Sequence, residues 1–129
     1  MGFTARLKTQ SEKSFVGVGV IGVLAIGKGS RESYLDLALV SRAFGASFIN
    51  FCNNDHKDIA YVSRTVSSLN NKWGGKFSVS RSGTWRGYVN EKKNYIKIYL
   101  TRYGVPMKSM EYRIRTYKNI LLIVSSQFY

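Results

Sequence analysis

"VLAIGKGSRESYLDLALVSRAFGASFINF", residues 23–51, decides the fold. Its first residues complete an apolar run, Val16–Ile26, whose valine and isoleucine content reads as a buried strand. A short loop with two glycines and two cations, Gly27–Arg31, follows. Ser33 with Asp36 three positions later resembles a capping box, with Asp in the place of Glu or Gln. Tyr34, Leu37, Ala38, Val40, Ser41 and Phe44 then recur at helical spacing. Gly45 is a natural left-handed stop, and Ser47–Phe51 reads as a second strand.

The same alternation continues outward. Asn54 or Asp55 caps a helix that places Ile59, Val62, Val66, Leu69 and Trp73 along one face, and Gly74-Gly75 ends it. Phe77–Val79 is a short strand, and Thr84–Glu91 is expected to be helical. Tyr95–Thr101 alternates, with Ile96, Ile98 and Leu100 on one side. Pro106 opens a further expected helix to about Tyr117, and "NILLIVSS", residues 119–126, is a continuous apolar strand. Strands separated by helices imply an α/β fold, a mostly parallel sheet with helices on both faces. Residues 1–14 lack periodicity and read as a loose basic leader, leaving 15–129 as one α/β domain.

Composition narrows the function. The chain has 129 residues with 20 Lys+Arg against 7 Asp+Glu, a formal net charge of +13. From Lys72 onward only Glu91 and Glu111 offset the cations. A field of that sign attracts polyanions, and phosphate contacts dominate nucleic-acid affinity. Nine tyrosines, seven phenylalanines and two tryptophans supply stacking partners for bases. The single cysteine, Cys52, excludes a disulfide framework and points to a reducing compartment. Cys52 and His56 alone cannot build a structural metal site, so no metal is expected. The apolar stretch 15–27 is too short and glycine-rich for a membrane span, and it fits a buried strand better than the core of a signal peptide.

Two glycine motifs are near misses. Gly17-x-Gly19-x-x-Gly22 has the letters of a dinucleotide fingerprint, but "SEKS" precedes it and strand follows, where the fingerprint needs a strand before and a helix after. Gly22-x-x-x-x-Gly27-Lys28 approaches a phosphate loop, yet its interior, "VLAI", is strand material. A nucleotide-binding domain built on either is not expected. Gly27–Arg31 leaves the end of a parallel strand for a helix N-terminus, where such sheets bind ligands and anions.

The quoted stretch resembles the first motif of the SPOUT superfamily of RNA methyltransferases. It is most similar to the archaeal family that methylates the ribose 2′-hydroxyl of cytidine 56 in the tRNA T-loop. The likeness continues through "NNKWGGKFSV" (70–79), Thr84-Trp85 and "IYLTRYG" (98–104), covering roughly residues 23–124. The resemblance implies a SPOUT-like, Rossmann-like front half, S-adenosylmethionine as cofactor, tRNA as partner, a homodimer and a cytoplasmic setting. It makes Arg31 the candidate catalytic arginine, with its register off by about one residue, and sets Asp36 where the family carries histidine. Ser125 and Ser126 stand where a glycine-type cofactor loop begins. Lys28, Arg42, Arg86, Lys92, Lys93, Lys97 and Arg102 are the RNA-binding candidates, expected to form one cationic platform with the Gly27–Arg31 bend at its rim. Arg42 belongs to the signature helix before Phe44-Gly45-Ala46. Family chains continue into a C-terminal trefoil knot, so the expectation is a chain without the complete knot. Such a chain is a poor candidate for stand-alone activity, and the alternative is a non-catalytic basic RNA-binding module derived from the fold.

Overall fold

The computed structural model describes residues 19–100 and 119–126. The expected leader, the first residues of the Val16–Ile26 strand, the helix from Pro106 to Tyr117, and Arg102 lie outside the described residues. The elements in chain order are β1 (Val20–Ile26), α1 (Arg31–Ala43), β2 (Phe48–Cys52), α2 (His56–Trp73), β3 (Ser78–Ser82), α3 (Trp85–Glu91), β4 (Ile96–Tyr99) and β5 (Asn119–Ser125). The strands form one sheet in the order β3-β2-β1-β5-β4, every neighbouring pair parallel.

Strand alternation assigns two faces. Val23, Ala25, Ile49, Phe51 and Val124 pack against Tyr34 and Ala38 of α1 and Ile59, Val62 and Val66 of α2. On the other face, Leu24, Cys52, Leu121 and Ile123 meet Trp85, Tyr88 and Val89 of α3 together with Phe48 and Tyr95. Right-handed crossovers explain this division. β1–α1–β2 and β2–α2–β3 step in one direction, whereas β3–α3–β4 returns across the sheet to the far edge and so carries its helix on the opposite face.

The first helix begins earlier than its sequence pattern suggests. Ser30 is the N-cap and Ser33 is N3: each hydroxyl meets the other residue's backbone N–H, at 3.1 Å from Ser33 N to Ser30 Oγ and 2.9 Å from Ser30 N to Ser33 Oγ. Ser33 is therefore the reciprocating member of the box, and Asp36 has no part in it. At the other end Gly45, with φ +95°, closes a Schellman motif through Gly45 N–H to Arg42 C=O and Ala46 N–H to Ser41 C=O.

Trp73 departs from its expected place. Ile59, Val62 and Val66 are buried, but Trp73 is 71% exposed because the last turn of α2 runs past the sheet. That turn is braced by Arg42, whose Nε donates to Asn70 Oδ1 at 3.0 Å and Nη2 to the Gly74 carbonyl at 2.8 Å. Asn70 Nδ2 in turn donates to the Phe77 carbonyl at 2.8 Å. Arg42 thus joins the C-terminal ends of α1 and α2, which accounts for a guanidinium just before Phe44-Gly45.

Gly22 also has a packing reason. It pairs with Phe48 across β1 and β2, and a Cβ there would overlap the Phe48 ring. The glycine that completes both near-miss motifs is a seat for an aromatic ring inside a strand. Buried Asn50, 2% exposed, donates to Ser80 Oγ at 2.7 Å and accepts from Ser82 Oγ at 2.8 Å, securing edge strand β3.

Two predictions follow from this packing. Gly22→Ala should lower stability by about 1–3 kcal/mol through overpacking, and adding Phe48→Leu should return part of the loss in a double-mutant cycle followed by urea unfolding. Strict additivity would contradict the ring-on-glycine contact. Arg42→Ala should cost about 1 kcal/mol, and Arg42→Lys should recover less than half, because an ammonium cannot reproduce the two-pronged contact.

Candidate functional site

All five strands end at one edge, where the Gly27–Arg31 loop, the Asn53–Asp58 segment and Ser125-Ser126 converge. β1 and β5 are adjacent, and the sheet order changes direction between them. Ligands of open parallel sheets bind outside the carboxyl ends of strands at such a position.

The loop is fixed by tertiary contacts. Gly27 N–H donates to the Cys52 carbonyl at 3.1 Å, and the Gly27 carbonyl accepts from Asn53 Nδ2 at 3.2 Å. Gly27 has φ +106°, and a Cβ on it would stand 2.6 Å from Ser126 Oγ and 2.7 Å from Ser126 Cβ. Only glycine meets both conditions. Gly29 N–H donates to the Tyr34 hydroxyl at 2.7 Å, and that hydroxyl donates to Asp55 Oδ2. Tyr34 is fully buried, its ring edge-on to Phe51 at 5.3 Å. Burial, and then the Asp55 carboxylate, raise its phenol above the ordinary value, so it stays a neutral donor. Asp55 is the N-cap residue of α2 but makes no side-chain cap bond, its carboxylate being turned to Tyr34. Arg81 Nη1, from β3, donates to the Asn53 carbonyl at 2.6 Å and steadies the same edge.

Arg31, the candidate catalytic residue, is the first residue of α1. Its Nε contacts Asp58 Oδ1 at 3.0 Å, and its guanidinium lies 4.6 Å from the Tyr61 ring centroid. Its side chain remains 48% exposed. The guanidinium has four further N–H donors. Arg31 is therefore oriented by α2 at the rim of the edge, and Lys28 is exposed in the same loop. Ser125 pairs with Ile26 in the sheet register. Its Oγ is buried without a hydrogen-bond partner among the described residues, beside the tightly packed Ser126 and Gly27.

The other cationic candidates lie on other elements. Arg42 lies at the opposite end of α1. Arg86 belongs to α3, with its guanidinium 5.3 Å from the Trp85 ring centroid, and Lys93 is exposed just beyond that helix. Lys92 is held among three rings, 5.0 Å from Phe48 and 5.3 Å from each of Tyr88 and Tyr95. Burial pushes the Tyr88 phenol up to about 12, so that ring meets the ammonium as a neutral phenol. Lys97, by alternation with Ile98, lies on the same face as α3. Arg42 thus stands outside the single platform expected from the sequence, whereas α3, which carries Arg86, starts from the same carboxyl edge of the sheet as the Gly27–Arg31 loop, on the opposite face. The Tyr34–Asp55 contact, whose partners stand 21 positions apart in sequence, had no local signal.

No group of three or more His, Cys, Asp or Glu among the described residues could hold a metal ion, and no described helix is long and apolar enough to cross a membrane.

Residues 73–128 match the family described as tRNA ribose 2′-O-methyltransferase, aTrm56. Over 116 residues the chain is 34% identical to a tRNA (cytidine(56)-2′-O)-methyltransferase of Methanococcus maripaludis, covering 83% of this chain and 63% of that protein. The enzyme of the same description from Methanocaldococcus jannaschii is 34% identical over 115 residues, 84% of this chain and 62% of its own length. That from Nitrosopumilus maritimus is 33% identical over 95 residues, 70% and 50% respectively. The chain thus spans between half and two thirds of these relatives. With an all-parallel α/β sheet and this extent of identity, the chain is similar along most of its length to the archaeal tRNA (cytidine-56) ribose 2′-O-methyltransferase family.

Proposed function

We propose that this chain serves methylation of the ribose 2′-hydroxyl of cytidine 56 in the tRNA T-loop, with S-adenosylmethionine as donor. The observation that carries the reading is the presence, at one sheet edge, of an anchored Arg31 and a buried Ser125 hydroxyl that has no partner among the described residues. A buried hydroxyl without a partner costs about 1–3 kcal/mol, so a site that supplies its hydrogen bond is favoured. This makes the Gly27–Ser30 loop with Ser125 and Ser126 suitable to hold part of the cofactor. S-adenosylmethionine, when bound, supplies an electrophilic methyl group.

The residues of this chain do the remaining work. Arg31, held by Asp58 and Tyr61, offers N–H donors where negative charge develops on the ribose oxygen. Because the guanidinium is already oriented, little reorganisation is needed at the moment of reaction. Lys28 places a second positive charge in the same loop for a neighbouring phosphate. Arg86, Lys93 and Lys97 supply cations on the α3 face for the body of the tRNA. A homodimer, acting in the cytoplasm, is the assembly this reading assigns.

The test is transfer of labelled methyl from S-adenosylmethionine to an unmodified tRNA transcript by the purified chain, with calorimetry of cofactor binding alongside. Label should appear on the ribose of cytidine 56. Arg31→Ala should reduce transfer by about a hundredfold or more while changing tRNA affinity less than about twofold, since one exposed cation among many contributes little. Full activity in Arg31→Ala would remove its assigned role. No heat and no transfer, with tRNA binding that falls steeply with salt, would replace the reading by a non-catalytic RNA-binding module.

A further inference from the structure

The far end of α2 carries a feature that the reaction site does not use. Trp73 is 71% exposed on the last residue of the helix, and Asn71 through Lys76 are all exposed around it. An indole costs free energy in water, and a prominent one amid cations needs a partner that accepts both. Lys72 Nζ stands 5.3 Å from the Trp73 ring centroid, and Lys76 follows after two glycines. Between Asp58 and Glu91 the sequence has no acidic residue.

The backbone that carries the indole is held in place. Gly74 and Gly75, with φ +85° and +110°, turn the chain immediately after it. Gly74 N–H donates to the Asn70 carbonyl at 2.7 Å, and the Arg42 guanidinium fastens the same turn through Asn70 and the Gly74 carbonyl. An aromatic side chain on a fastened turn leaves less backbone freedom to lose on binding, which is the economy that preorganisation supplies.

We infer that Trp73, flanked by Lys72 and Lys76, is a stacking site for an unpaired base of an RNA substrate. Base–aromatic stacking uses the indole face, and the two ammonium groups meet the adjoining phosphates. A second copy of the chain fits less well. In a two-fold contact the same lysines would face one another, and lysine is depleted at protein interfaces. The inference rests on the tRNA reading for the class of polymer, and it extends that reading to a second contact. The fifteen helical steps from Asp58 to Trp73 span roughly 22 Å, or about six stacked nucleotides. An RNA engaged at both Arg31 and Trp73 is therefore a folded or extended polymer and not a single nucleotide.

The experiment uses the full 129-residue chain and fluorescence anisotropy. Its probes are a labelled tRNA transcript, a short labelled single-stranded RNA, and that RNA annealed to its complement. Trp73→Ala should weaken single-strand binding by roughly tenfold, with duplex binding little changed. Trp73→Phe, which keeps a ring, should stay within about threefold of the parent. Single-strand affinity in Trp73→Ala equal to the parent's would overturn the inference while leaving the tRNA reading in place. So would a switch from dimer to monomer in Trp73→Ala, by sedimentation, with RNA affinity retained, since that identifies a contact between copies. Failure of the parent chain to bind any of the three RNAs would overturn both.

Discussion

The Tyr34 hydroxyl is the contact on which the functional edge depends. It accepts from Gly29 in the loop and donates to Asp55 at the start of α2, while its ring fills the core under α1. One buried side chain thereby connects the first strand-to-helix loop, the first helix and the entry to the second. Gly27 sits against Ser126 and Arg31 against Asp58 within the geometry this connection maintains. Losing the hydroxyl would leave a carboxylate and an amide seeking water from a partly buried position, which is why the link is specific and not interchangeable with apolar packing.

The molecule divides its cations by task. Arg42 and Arg81 are spent on backbone carbonyls, bracing a helix end and a loop. Lys92 is taken up by a cage of rings beneath α3. Arg31 is anchored yet partly exposed, the combination a group acting on a substrate needs. A high net charge therefore says less about the interface than it first suggests, because several cations are structural. Those on the α3 face, at the Gly27 loop and beside Trp73 remain available to a polyanion.

Much of the architecture was legible from periodicity and punctuation. The continuous apolar runs of β1 and β5, the spacing of Ile59, Val62 and Val66, and Gly45 and Gly74-Gly75 as helix stops all report local constraints, and local constraints survive in sequence. What failed was governed by tertiary geometry. The α1 start lay three residues ahead of its apparent cap because Ser33 reciprocates and Ser30 leads. Trp73 matched the helical period but sits on a turn that outruns the sheet. Gly22 looked like a phosphate-loop glycine and is instead a seat for Phe48, a reason visible only once β1 and β2 pair. The site candidates at Arg31, Ser125 and Ser126 came from family likeness, since no spacing rule could bring residue 27 beside residue 126.

The central claim is that the buried Tyr34 hydroxyl orders the Gly27–Arg31 loop. Hydrogen exchange of the Gly29 amide in Tyr34→Phe tests it most directly, because the ring is kept and only the oxygen is removed. The account predicts a chain that keeps its secondary structure while Gly29 and its loop neighbours exchange at least about tenfold faster, the loss of one buried hydrogen bond. A Gly29 amide as protected as in the parent, in an otherwise intact fold, would contradict it.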